Sequence, residues 1–129
     1  FSTEAIKKTG KAIIFEGEKS CLLYGSYFGM ENDISVACCG SSVSSFQVQL
    51  LTEAGAKEII IAFDRQFQER GDAEFKHLTK NLTAINNKFK QYATISFMFD
   101  KWDLLPYKAS PIDCGKNTFI YLYKNRIFL

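Results

Sequence analysis

Four short runs, "KAIIF" (11–15), "ISVACC" (34–39), "EIIIAF" (58–63) and "TISFMF" (94–99), are apolar almost without interruption. A half-exposed strand alternates apolar and polar residues, whereas continuous runs of this length fit strands covered on both faces, as in a parallel sheet. Segments of helical character separate them. "SCLLYGSYFGM" follows the first run and "SVSSFQVQLLTEAGA" the second, where Val43, Phe46, Leu50 and Ala54 recur at helical spacing and Gly55 stands where a helix is capped. After the third run, Phe75, Leu78, Leu82, Ile85, Phe89 and Tyr92 recur in steps of three and four, with Lys76, Lys80, Lys88 and Lys90 off the stripe. That stripe is too short to prefer a coiled coil over a helix packed on a sheet. A loop holding both prolines, Pro106 and Pro111, follows the fourth run, and "GKNTFIYLYKNRIFL" reads as a helix with a frayed or extended tail. The expected architecture is α/β: a mainly parallel four-stranded sheet with helices on both faces, forming a single domain over residues 1–129.

Composition narrows the class. With 129 residues, 47% of them apolar and 23% charged, the chain is long enough for a buried core and is not of a disordered type. A net charge of +2 permits a nucleic-acid partner without arguing for one. The four cysteines, Cys21, Cys38, Cys39 and Cys114, form no Cys-x-x-Cys pair, so a zinc site has poor support. Cys38 and Cys39 lie in an apolar run as small hydrophobes. All four thiols are read as reduced and the protein as cytoplasmic. No run approaches a membrane span, no signal peptide is visible, and no membrane partner is expected. The chain begins at Phe1 rather than a methionine and is read as a piece of a longer protein.

In a parallel sheet every strand ends on the same edge, which is where α/β proteins place their chemistry. Three of the four runs end there in an acid: Glu16-Gly17, Asp64 in "AFDRQF" and Asp100 in "MFDKWD". Convergent carboxylates repel one another, and a hard cation relieves the repulsion. Oxygen-only ligands suit Mg²⁺ or Mn²⁺, with substrate phosphates completing the shell. The plainer alternative is that each acid begins a solvated loop.

"EGEKS" is not a phosphate-binding P-loop, because glutamate rather than glycine precedes Lys19. Gly40, Ser41 and Ser42 offer backbone N–H groups and hydroxyls to an anion at the start of the second helix, or else simply cap that helix. His77, the only histidine, reads as a surface or core-edge residue. Trp102, with Lys101 and Lys108 nearby, reads either as packing or as a stacking and phosphate-contacting surface for a single strand.

"IIFEGEKS" with "AFDRQF" resembles the Toprim domain of bacterial-type primases, topoisomerases and certain nucleases. "CGSSVSSFQVQLL" and "KWDLLPYKASPIDCGK" extend the resemblance to primases of phages and mobile elements, from about Lys11 to the end. The resemblance implies a DNA primase core that makes RNA primers on single-stranded DNA from nucleoside triphosphates. It assigns Glu16 as general acid/base or metal contact and Asp64 as an Mg²⁺ ligand, with Asp113 matching a later acid. Lys19, Gly40, Ser41, Ser42, Lys101 and Lys108 become the phosphate- and nucleic-acid-binding set. Gln66 and Ser20 stand where the family often carries acids, as does Ala109 or Ser110. The metal shell is thinned, and Asp100 is expected to compensate. Adjoining domains and a replicative helicase are the further partners implied. A Toprim nuclease and a non-catalytic binding module stay open as alternatives.

Overall fold

The computed structural model describes residues 1–38 and 40–129. Strands β1 (Lys11–Phe15), β2 (Ser35–Ala37), β3 (Glu58–Ala62) and β4 (Thr94–Phe97) run parallel, and β5 (Ile127–Phe128) closes one edge antiparallel to β4, in the order β2-β1-β3-β4-β5. The central strands are buried along almost their whole length, as their unbroken apolar runs require: Ile13, Ile14, Phe15, Ile59 and Ile60 are inaccessible.

Helices cover both faces. On one, Phe15 meets Tyr24 of α2 (Glu18–Phe28) and Phe119 of α5 (Lys116–Lys124) at ring-centroid distances of 6.4 and 6.1 Å. On the other, Ile61 packs with Leu78 and Leu82 of α4 (Ala73–Phe89), whose far end adjoins α3 (Ser45–Glu53) through Val48 and Phe89.

Several expectations need correction. The sheet has five strands rather than four, because the C-terminal tail leaves its helix and pairs with Ser96 and Phe97. A first helix, α1 (Thr3–Thr9), was not anticipated, although Ser2 caps its start by accepting from Ala5 N and Gly10 ends it at φ 71°. In α3 the buried residues are Val48 and Leu51, while Phe46 and Leu50 are exposed. The helix starts only at Ser45, so Val43 precedes it and the phase shifts. Tyr92 likewise lies beyond the end of α4 and is exposed. The expectation for Cys39, at the end of the second run, lies outside the described residues. Among those residues no helix is long and apolar enough to cross a membrane.

The tail is held by Arg126. Its Nε and Nη2 donate to the two oxygens of Glu58 at 2.6 and 3.1 Å, and the Ser96 hydroxyl adds a third bond at 2.6 Å. Burial alone would raise the Glu58 pKa, but the hydrogen bonds from Arg126 and Ser96 outweigh it and hold the carboxyl below its ordinary value. A depressed folded-state pKa gives stability that is present above the unfolded value and lost on acidification. Glu58→Gln is therefore expected to cost about 2 kcal/mol at pH 7 and much less at pH 3. Urea unfolding at the two pH values checks this, and an equal loss at both would rule out the charged pair as the cause.

Candidate functional site

Because β1 and β3 are neighbours in register, the chain emerging from each arrives at one place on the sheet edge. Glu16 leaves β1 there, and Gly17 turns the chain into α2 as its N-cap. Three donors fix the Glu16 carboxylate. Its Oε2 accepts from the backbone N–H of Asp64 at 2.6 Å and from Gln66 Nε2 at 3.0 Å, and its Oε1 accepts from the Ser41 hydroxyl at 3.1 Å. Gln66 Nε2 also donates to Ser41 Oγ at 2.6 Å, and Asn81 of α4 donates to the Ser41 carbonyl at 3.1 Å. The sequence marked Glu16 and Ser41 but not this lattice. Asn81 carries no signal in the sequence, and Gln66 stands out there only as a missing acid.

Asp64 is different. It is half-buried, and among the described residues no group donates to its carboxylate. Burial, then the Glu16 charge, then the Asp113 charge push its pKa up to about 6. A carboxylate this poorly compensated is a natural place for a cation or a substrate proton. Asp113 is exposed and shares the local field, but its Oδ2 accepts from the backbone N–H of Ser110 at 2.9 Å and closes a turn. Ser20 and Ser110 bond each other at 2.8 Å in a buried contact, so a neutral hydroxyl pair occupies that corner. Among the described residues no three His, Cys, Asp or Glu side chains gather as a ready metal cage.

Asp100 does not join the site. It is buried, its Oδ2 lies 3.3 Å from Arg65 Nη1, and it accepts from the backbone N–H groups of Trp102, Leu104 and Leu105 at 3.2, 3.0 and 2.8 Å. Its acceptor capacity is spent on Arg65 and on holding a loop, an arrangement that does not favour the expected part for it in the thinned metal shell. The proposed anion site at a helix start is also displaced. Ser44, with Gln47 in a capping box, caps α3, while Ser41 turns to Glu16, and Gly40 makes its turn at φ 72° upstream. Ser42 and Lys19 are exposed and meet no named partner in the site.

A cleft of about 510 Å³ opens above the acids. Glu16, Ser41, Asp64 and Gln66 form its floor. Glu74 and His77 of α4 and Tyr107 and Lys108 of the long loop form its wall. His77 is thus exposed, as expected, but stands on the wall of the acid cleft, which its distance in sequence from the acids concealed. Tyr107 fastens the two halves of the wall by donating to Glu74 at 2.6 Å. The site therefore combines an acidic floor with a partly basic rim. Such a donor set fits a hard divalent cation held by one or two carboxylates, with water and phosphate oxygens as its other ligands.

Comparison with known proteins bears on the fold. No protein-family model matches the chain. The SPbeta prophage-derived uncharacterized protein YorJ of Bacillus subtilis (strain 168) is 31% identical over 130 residues, covering 95% of this chain and 34% of that protein. The chain thus spans about a third of the length of this curated relative. Among solved structures, the Aquifex aeolicus primase (zinc-binding and RNA polymerase domains) superposes with a TM-score of 0.66 at 23% identity, over 99% of this chain and 28% of that one. The RNA polymerase domain of Mycobacterium tuberculosis primase DnaG, solved in complex with double-stranded DNA, gives 0.61 at 18% identity, over 97% and 37%. The α/β fold is that of a segment of bacterial primase polymerase domains.

Proposed function

We propose that this chain is the Toprim-like catalytic core of a DNA primase, a single domain over residues 1–129 within a longer protein, joining ribonucleotides on a single-stranded DNA template. The observation that carries the reading is the pairing of Asp64, uncompensated and half-buried, with the immobilised Glu16 on the edge of a primase-like sheet. The low-identity structural likeness supports the fold. The chemistry is argued from the acids.

Mg²⁺ or Mn²⁺, when bound, would neutralise phosphate charge and acidify the attacking 3′-hydroxyl. Asp64 would hold the ion, with Glu16 as second contact. Glu16, fixed by Ser41, Gln66 and the Asp64 amide, presents Oε1, its less engaged oxygen, to the reacting hydroxyl and accepts its proton. His77 on the rim faces the triphosphate. Phosphoryl transfer needs mainly positioning and charge stabilisation, and groups carried on a rigid sheet edge supply both. A second reading has its own support. Gln66, Ser20 and Ser110 are neutral, and each is satisfied within the protein, as in a binding module that no longer turns over.

Mn²⁺ titration followed by paramagnetic broadening of amide resonances separates the two. Broadening centred on residues 15–17 and 63–65, weakened at least tenfold in Glu16→Gln, supports the catalytic reading, and primer synthesis by the longer protein should then fall about 100-fold or more in the same variant. No localised broadening at millimolar Mn²⁺, even with nucleoside triphosphate and template present, leaves the binding module as the surviving reading.

A further inference from the structure

We propose that the loop after β4 and the outer face of α5 form a stacking platform for single-stranded nucleic acid, with Trp102 and Tyr121 taking bases and Lys101 and Lys108 taking phosphates. The inference deepens the primase reading, on which it rests for the identity of the strand as template.

The first observation is two exposed aromatic rings placed together. Trp102 and Tyr121 retain 37% and 45% exposure while meeting edge to face, with centroids 5.1 Å apart. A ring pair serving only the core would be covered. Here each ring supports the other and leaves area open to a planar ligand.

The second is the rigidity of the loop that carries Trp102. Asp100 accepts from three of its backbone amides, Arg65 and Arg70 both pair with Asp103, and Arg70 donates to the Lys101 carbonyl at 2.8 Å. Asp103 and Lys108 are the only non-glycine residues with positive φ among the described residues, at 57° and 68°. Unfavourable backbone held in place at an exposed loop is a mark of a preorganised surface. A platform already ordered loses little entropy when a flexible strand lies on it.

The third is charge. Lys101 Nζ lies 5.6 Å from the Trp102 ring centroid and Lys108 Nζ 5.4 Å from that of Tyr107. Neither lysine has a carboxylate partner among the described ion pairs. The local acids are already engaged, Asp103 by the two arginines and Glu74 by Tyr107. Lys124, three residues beyond Tyr121, adds a further cation on that side of α5. Cations that lie over aromatic rings and have no carboxylate partner match phosphates beside unpaired bases. A duplex would hide its base faces, and an apolar protein segment would leave the lysines without partners.

Continuity completes the case. Tyr107 and Lys108 line the acid cleft and belong to the same loop as Trp102. A strand stacked on Trp102 and Tyr121 is therefore led along one ordered segment to Glu16 and Asp64.

Trp102 is the only tryptophan in the chain, so its fluorescence reports this surface alone. Titration with a twelve-nucleotide oligo(dT), without metal and at low salt, is expected to quench the emission saturably, with weaker binding as salt rises. Anisotropy of a labelled oligo(dT) should show about tenfold weaker binding to Trp102→Ala and a smaller loss for Trp102→Phe, which keeps a ring. Lys101→Glu should weaken binding and leave the tryptophan in place. Oligo(dT) binding with no change in Trp102 emission overturns the platform, as does equal quenching by duplex. No binding at low salt also overturns it and turns attention to a protein partner. Mn²⁺ broadening in Trp102→Ala keeps the two readings separable. Quenching without metal binding retains the platform and removes the primase site, and the reverse removes only the platform.

Discussion

Asp100→Ala is expected to lower the unfolding free energy by about 3–5 kcal/mol, a loss comparable to emptying a large core position. Arg65 and Asp100 form a pair whose side chains are 7% and 1% exposed, and removing Asp100 leaves the buried Arg65 with only the half-exposed Asp103 as counter-ion and three loop amides without their acceptor. Arg65 is also a hub. It donates to the carbonyls of Phe67, Leu105 and Gln68, while its own backbone bonds Ala109 and Lys108. The pair thereby ties the chain leaving β3 to the loop leaving β4.

The double variant Arg65→Met with Asp100→Leu separates two sources of this energy. If the ion pair alone mattered, replacing both charges by apolar groups of similar size would restore most of the stability. The backbone N–H groups of Trp102, Leu104 and Leu105 would still lack their acceptor. The double variant is accordingly expected to stay at least about 2 kcal/mol below the parent, with amide exchange at those three positions accelerated. Full recovery in urea unfolding would show that the amides find water or other acceptors and that Asp100 acts only as a counter-ion.

What the sequence made legible, and what it hid, divide along local and non-local physics. "KAIIF" carries its observed bounds in the sequence because a strand buried on both faces leaves an unbroken apolar run, and the acids after β1 and β3 stand out against such runs. Asp100 has the same local signature, but its partner Arg65 lies 35 residues away and no spacing rule links them. A usable signal was present: an arginine beside an apolar run, as in "AFDRQF", needs a counter-charge if it is buried. α1 is hidden in the sequence although Ser2, Glu4, Lys7, Lys8 and Gly10 spell its ends, because its seven residues bury only Ala5 and Ile6 and carry no long periodicity. β5 is hidden for a different reason. Two residues, Ile127 and Phe128, carry no pattern at all, and the strand exists because Arg126 reaches Glu58 across the sheet. The cleft wall at His77 and Lys108 depends on how two loops close together, which only the assembled fold reveals.

Asp64→Asn is expected to separate stability from function. The folded-state pKa of Asp64, about 6, lies above the ordinary aspartate value of 3.8, so between those values the folded protein binds a proton that the unfolded chain has released. Stability contributed by this group therefore falls as pH rises through that window, and the deficit is fully present at neutral pH. Removing the charge should stabilise the protein at pH 7.5 by about 1–2 kcal/mol, after discounting the shift for solvent screening of a half-buried group. At pH 4 the two proteins should differ little. Metal reverses the ranking: millimolar Mg²⁺ should raise the melting temperature of the parent and leave Asp64→Asn unchanged, because only the parent offers the ion an uncompensated carboxylate. Proton and cation compete for the same oxygens, so Mn²⁺ affinity of the parent should weaken about tenfold for each pH unit below about 6. On the proposed primase reading, the variant should also lose primer synthesis by about a thousandfold, the scale of several kcal/mol of lost charge stabilisation. Thermal unfolding at two pH values, with and without Mg²⁺, tests the coupling. A variant that is less stable than the parent without metal, or that gains as much from Mg²⁺, would mean that Asp64 is satisfied by protein groups and is not the residue that receives the ion.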